Sequence, residues 1–103
     1  MYTIVIKNLR EGFDKSETAF RVDRKSILGN PYYMRSEKER DAVCEQYAKY
    51  FEEELLKDVI ALGLLRHMYR TLKRYGHIEL YCWCAPKRCH AETIRDFLLG
   101  FIN

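Results

Sequence analysis

The sequence contains no apolar run near the roughly 20 residues needed to cross a bilayer, so no membrane-spanning helix is expected. Its start lacks a basic stretch followed by a long apolar run, so no secretory leader is expected either. Charge of one sign is scarce. Lys and Arg number 18 against 15 Asp and Glu, a net charge of +3. That balance gives no strong nucleic-acid signal and no membrane-surface signal, both of which call for a clustered basic excess. Two prolines and five glycines leave little material for linkers, and neither a repeat nor a low-complexity tract interrupts the chain.

What is present is one domain's worth of chain, residues 1–103, of which 48% are hydrophobic and 14% aromatic. Such a composition can form a core without disulfides. The expected compartment is the cytoplasm, where thiols stay reduced. The four cysteines are therefore expected as free thiols or metal ligands rather than as bridges.

Tyr2 to Ile6 is rich in β-branched and aromatic residues and predicts a strand; Thr18 to Val22 predicts a short second one. Between Lys25 and Tyr33 lies Leu28-Gly29-Asn30-Pro31. Gly and Asn tolerate positive φ, and Pro31 biases Asn30 away from the helical region, so a shaped loop is expected. Ser36 followed by Glu39 fits a capping box. The helix it opens carries Val43, Tyr47, Tyr50, Phe51 and Leu55 on one face. Asp58 predicts the cap of a second helix with Leu62, Leu65, Met68, Leu72 and Tyr75 inward, stopped by Gly76. A third strand, His77 to Cys84, puts Ile78, Leu80, Cys82 and Cys84 on one face and Glu79, Tyr81 and Trp83 on the other. A last helix from about Ala91 to Ile102 packs Ile94, Phe97, Leu98 and Phe101. The order β, β, α, α, β, α predicts a small Rossmann-like α/β sheet with at least one parallel strand pair, flanked by about three helices. Ligands in such sheets sit beyond the carboxyl ends of the strands. The Gly29-Asn30-Pro31 loop and the Cys84 to His90 loop both follow strands, so they are expected to meet there.

The stretch Tyr81 to His90 concentrates unusual chemistry: three cysteines, a histidine and the sole tryptophan before a helix N-terminus. The helix dipole favours anions and thiolates at that point. Cys89 is the candidate nucleophile, with His90 or His77 as its base and Asn30 to orient the base. Zinc is the competing use of Cys82, Cys84, Cys89 and His90, although the usual pairing is Cys-x-x-Cys and not Cys-x-Cys. Cys44 and Cys82 read as buried, inert thiols. Arg24 and Arg40 are candidate anion anchors, because guanidinium grips phosphate or carboxylate through two bonds. Lys87 and Arg88 add positive field, and Gly29 with Asn30 offers backbone N–H groups. Trp83 and Tyr32 are candidates for stacking on a base.

Taken together, Arg24, Ser26, Leu28-Gly29-Asn30-Pro31-Tyr32, Arg40, Tyr47, Cys82-Trp83-Cys84-Ala85-Pro86 and Cys89-His90 resemble domain of unknown function family 4326. Arg21-Val22-Asp23 departs from the apolar-glycine approach to the arginine that this resemblance implies. The resemblance implies an α/β fold and a phage or bacterial source, hence the host cytoplasm for a phage-encoded chain. It implies no activity and no cofactor.

Function therefore has to be read from the residues. The leading expectation is binding, with processing of the ligand left open, of a nucleotide-like anionic small molecule by Arg24, Gly29, Asn30, Cys84, Lys87 and Arg88. Cys89 and His90 would be its catalytic pair. The alternative is a zinc-stabilised, non-catalytic module that engages a host protein.

Overall fold

Three short strands share one parallel sheet, and the last of them in the chain lies in the middle. A computed structural model describes residues 1–102. Strand β1 (Thr3–Asn8) pairs with β3 (His77–Cys82) from Thr3 opposite His77 to Asn8 opposite Cys82. Strand β2 (Ala19–Arg21) pairs with the other edge of β3, from Ala19 opposite Glu79 to Arg21 opposite Tyr81. All three strands run the same way, so their carboxyl ends open on one edge. Helices α1 (Arg40–Glu53) and α2 (Val59–Tyr75) make the crossover from β2 to β3, and α3 (Ala91–Ile102) follows β3. The expected α/β class, parallel pairing and three flanking helices are all found.

The alternation along β3 sets the layers. Ile78, Leu80 and Cys82 are completely buried on one face. They join a core with Tyr47 and Phe51 of α1, Leu65, Met68 and Leu72 of α2, and Ile94 and Leu98 of α3. Each such large apolar side chain contributes about 1.5–3 kcal/mol by leaving water. On the opposite face Phe13, from the loop after β1, packs edge-on against Tyr81 at 4.8 Å. Thr18 Oγ1 donates to Glu79 Oε1 there at 2.7 Å. A central parallel strand is thus covered on both sides.

Helix α2 behaves as its sequence predicts. The Asp58 side chain accepts from the N–H groups of Ile60 and Ala61, both at 2.9 Å, and Gly76 ends the helix at φ 84°, left-handed. Other expectations need correction. Ser36 makes no side-chain cap; it precedes a short 3-10 turn (Glu37–Glu39), and α1 begins at Arg40. The Glu39 carboxylate instead accepts from the Arg35 N–H at 2.8 Å, one residue earlier than a capping box requires. Leu55 is buried, but in a separate 3-10 turn (Leu55–Lys57) beyond α1. Leu62, Tyr75 and Phe101, expected in the core, are substantially exposed. Strand β3 stops at Cys82, so Cys84 belongs to the loop. None of the described helices is long and apolar enough to cross a membrane.

Candidate functional site

The carboxyl ends of β2 and β3 lead into two loops that face each other across a cleft of about 160 Å³. The first wall is the segment after β2. The Val22 N–H donates to the Tyr81 carbonyl at 2.9 Å, the last rung before the chain turns away. Two turns follow, with Ser26 N–H on the Asp23 carbonyl and Gly29 N–H on the Ser26 carbonyl, each at 2.9 Å. Gly29 then lies against the backbone of Asp23 and Arg24. A Cβ there would stand 2.4 Å from the Asp23 carbonyl oxygen and 2.6 Å from the Arg24 Cα. Glycine is thus demanded by close approach; its φ is not positive, contrary to the expectation for this loop. The Asn30 Oδ1 accepts from the Tyr32 N–H at 2.9 Å, a side-chain-closed turn. Arg24 closes the segment on itself: Nε donates to the Asn30 carbonyl at 3.0 Å and Nη2 to the Tyr32 carbonyl at 3.1 Å. Its guanidinium also lies 4.0 Å from the Tyr33 ring centre.

The second wall is the loop from Trp83 to His90. Asn8, at the end of β1, holds it by donating from Nδ2 to the carbonyls of Ala85 at 2.7 Å and Trp83 at 3.3 Å. Trp83 is half exposed, and its indole N–H donates to Asp23 Oδ2 at 3.1 Å. Arg40 ties the start of α1 to the same loop. Its Nη1 donates to the Arg88 carbonyl at 2.8 Å, while Nε and Nη2 grip Glu37 at 2.9 and 2.8 Å. The Arg40 guanidinium also lies beside the Cys84 thiol, and Glu37 and Cys84 together raise its already high pKa. Hydrogen bonds from Arg40, then Lys87, pull the Glu37 carboxyl down to about 2.

Behind this rim the groups are buried. His90 donates from Nε2 to the Val22 carbonyl and meets the Tyr47 ring edge-on at 4.9 Å. Because the carbonyl can only accept, Nε2 carries the proton and the other ring nitrogen is the free acceptor in the neutral ring. Burial lowers the His90 pKa, which keeps the ring neutral. Tyr47 donates to the Leu28 carbonyl at 2.6 Å and is completely buried. The Cys82 and Cys89 sulfurs stand 3.2 Å apart. The hydrogen bond from Cys89, with backbone N–H groups of Cys84 and Ala85, holds the Cys82 thiol below its ordinary value. The same contact and burial push Cys89 up.

Arg24, Asn30, Cys84, Arg88, Cys89 and His90 all line the cleft, as does Arg40. Gly29 does not; it sets the loop's path from behind. Lys87 does not either, and reaches out to Glu37 at 3.2 Å. His77 is at the far end of β3, bonded to Glu79 at 2.6 Å, so it is no base for Cys89. The Cys89 thiol is held in its protonated form by Cys82 and burial, opposite to the lowering expected from a helix N-terminus. The candidate zinc residues are not arranged as a ligand set. Thiolates on a tetrahedral zinc with bonds of ~2.3 Å stand about 3.8 Å apart, and His90 is turned onto a backbone carbonyl. Among the described residues no three His, Cys, Asp or Glu side chains gather as metal ligands.

Sequence reasoning missed Asp23, a buried carboxylate joining Arg21 to Trp83. It also missed the facing of Cys82 and Cys89. The signal for Asp23 was the departure at Arg21-Val22-Asp23: an i, i+2 charge pair at a strand end, aimed at the next wall.

The chain is a small parallel α/β protein whose loops close on a cleft at the strand ends. It matches the family described as "Domain of unknown function (DUF4326)" over residues 6–100 and belongs to that family. No curated protein and no solved structure matches it.

Proposed function

We propose that the chain binds an anionic small molecule of the nucleotide or nucleoside-derivative class in the cleft between the two loops. The observation that carries this reading is the gathering of the Arg24, Arg40 and Arg88 side chains around an apolar-walled cleft at the carboxyl ends of parallel strands. That edge is where open α/β sheets take ligands. Among the described residues the Arg88 side chain is held by the highly exposed Asp41 alone, at 2.9 Å, and is free to exchange that partner for a ligand phosphate. Arg24 and Arg40 are anchored through some of their donors and present a fixed positive field. Lys87 adds to that field. The half-exposed Trp83 ring and the Tyr32 ring supply faces for a planar base, and Asn30 supplies an amide beside them. The enclosed volume is below the ~300–1,000 Å³ of drug-sized pockets. It suits one ring or one phosphoryl group, with the remainder of the ligand on the open rim.

The reading is of binding, without an assigned chemical step. The Cys89 sulfur is paired with Cys82 and the His90 Nε2 proton is committed to the Val22 carbonyl, so Cys89 and His90 are not arranged as a nucleophile and its base. The zinc-stabilised module that engages a host protein has no ligand geometry among the described residues to support it. A thermal-shift panel of nucleotides, nucleosides and sugar phosphates tests the proposal. A ligand at about 100 times its Kd adds about 2.7 kcal/mol to stability, which raises the melting temperature by several degrees. A panel that leaves the melting temperature unmoved contradicts the reading.

A further inference from the structure

We infer that Cys82 and Cys89 form a redox-active dithiol, an oxidation site that closes to a disulfide when a hydroperoxide enters the cleft. Their sulfurs make the one thiol–thiol contact among the described residues, at 3.2 Å. A bond of ~2.05 Å needs them to approach by only about 1.2 Å. Cys82 is held in the central strand, and Cys89 is held where the loop enters α3. Cys82 ends the central strand and is completely buried; Cys89 lies two residues before α3 begins at Ala91 and is 4% exposed. Cys89 lines the cleft and Cys82 lies behind it. An oxidant therefore meets Cys89 first, with its partner already at bonding range on the protein side.

The chemistry balances within this pair. At rest Cys89 holds the proton that it shares with Cys82. The reacting form is the minor one in which that proton has passed to Cys82 across the 3.2 Å contact, leaving the thiolate on the sulfur that lines the cleft. The Cys89 thiolate attacks one peroxide oxygen, the O–O bond breaks, and the leaving hydroxide takes a proton from solvent to become water. Cys89 is then a sulfenic acid. Cys82 gives up its proton and attacks the Cys89 sulfur, the S–O bond breaks, and a second water leaves. The pair with its one shared proton, one hydrogen peroxide and one proton from solvent give one disulfide and two waters; each sulfur loses one electron and the peroxide gains two. The bridge staples the two ends of the loop that carries Trp83, Cys84 and Arg88, so the oxidised state fixes one wall of the cleft. The inference rests on the sulfur geometry and on Cys89 lining the cleft, and holds whatever ligand the cleft takes.

The test uses the full chain carrying Cys84→Ser, because Cys82 and Cys84 share a tryptic peptide while cleavage after Arg88 releases Cys89. The folded protein is treated with one equivalent of hydrogen peroxide, alkylated in denaturant without reductant, digested and weighed. The expected result is a loss of two hydrogens, the Cys82 and Cys89 peptides joined, Cys44 alkylated, and full recovery of free thiols with dithiothreitol. Bridging should be on the order of tenfold faster in the folded chain than in urea, since folding holds the sulfurs together. The bridged form should melt on the order of 5–15 °C higher. Overturning results are the absence of a Cys82–Cys89 peptide, oxygen addition without bridging, or bridging no faster in the folded chain than in urea. Parallel treatment of the natural sequence checks the serine. A Cys84–Cys89 bridge there, with none in the variant, equally overturns the assignment.

Discussion

Asp23 accepts the indole N–H of Trp83 at 3.1 Å while gripping Arg21 through two bonds of 3.1 and 2.6 Å. One nearly buried carboxylate thus joins the two walls of the cleft across 60 residues of sequence.

Replacing Asp23 by Ala leaves the indole N–H and a partly buried guanidinium without their acceptor. The expected cost is about 1–3 kcal/mol of stability. Trp83 is the sole tryptophan, so its emission should shift to the red as the ring loosens. Emission spectra and denaturant titration of the variant check both effects. Acid should act in the same way on the natural chain. Hydrogen bonding to Arg21 holds the Asp23 carboxyl below its ordinary value, against the opposing effect of burial. Its contribution to stability is complete above the unfolded value near 3.9 and is lost as pH falls through the lower folded value. Asp23→Asn should remove that part of the acid limb.

A second pH dependence comes from His90. Its folded pKa lies below the ordinary value because burial disfavours the charged ring. The unfolded chain then binds the extra proton first, so stability is complete above about 6.5 and declines as pH falls below it. His90→Gln keeps an N–H donor of similar reach to the Val22 carbonyl but cannot ionise. Its stability should be flat where that of the natural chain declines, measured by urea unfolding at pH 7 and pH 5.

Two glycines give opposite predictions. At Gly29 a methyl group meets the Asp23 and Arg24 backbone below 3.0 Å, and backbone cannot swing aside. Gly29→Ala should destabilise by about 1–3 kcal/mol, the usual range for overpacking. Gly63 lies inside α2 with nothing within 4 Å of an added Cβ. Gly63→Ala should stabilise by about 0.5–1 kcal/mol, from helix propensity. Chemical denaturation of the two variants checks the contrast, and equal effects would contradict the close approach described for Gly29.

Tyr47 offers a cleaner probe of the first wall. Its hydroxyl is completely buried on the Leu28 carbonyl, and desolvation keeps the phenol protonated. Tyr47→Phe deletes one buried hydrogen bond and strands that carbonyl, at an expected cost of about 1–3 kcal/mol. Amide exchange of the neighbouring 26–32 segment should speed up by a similar free energy.

Much of this architecture is legible in the sequence where a local rule decides it. The Asp58 cap and Gly76 stop of α2 depend only on adjacent backbone. The meeting of the Asn30 and Cys84–His90 loops follows from strand direction, since parallel strands put their carboxyl ends together. What escaped depends on long-range partners. The Glu39 side chain went to the Arg35 N–H, and no local pattern ranks that above the Ser36 cap. Period-two alternation ran on to Cys84 because nothing in the sequence announces that the ladder ends at Cys82. That one error hid the Cys82–Cys89 contact, which needs Cys82 at the strand's end and the chain folded back. Gly29 was read for its φ, although a neighbouring backbone decides it.

Titration of the sole tryptophan is the most direct measurement of the central claim. Trp83 sits on the cleft, so a nucleotide-like ligand should quench its emission in a saturable way. Arg24→Ala and Arg88→Ala should each weaken that binding by about 1.5–3 kcal/mol, roughly ten- to a hundredfold, as expected for a lost charge-assisted bond. Arg66, exposed on α2 and outside the cleft, is the control, and Arg66→Ala should leave affinity unchanged. The account is contradicted if no nucleotide, nucleoside or sugar phosphate quenches Trp83, or if Arg66→Ala weakens binding as much as Arg24→Ala and Arg88→Ala do.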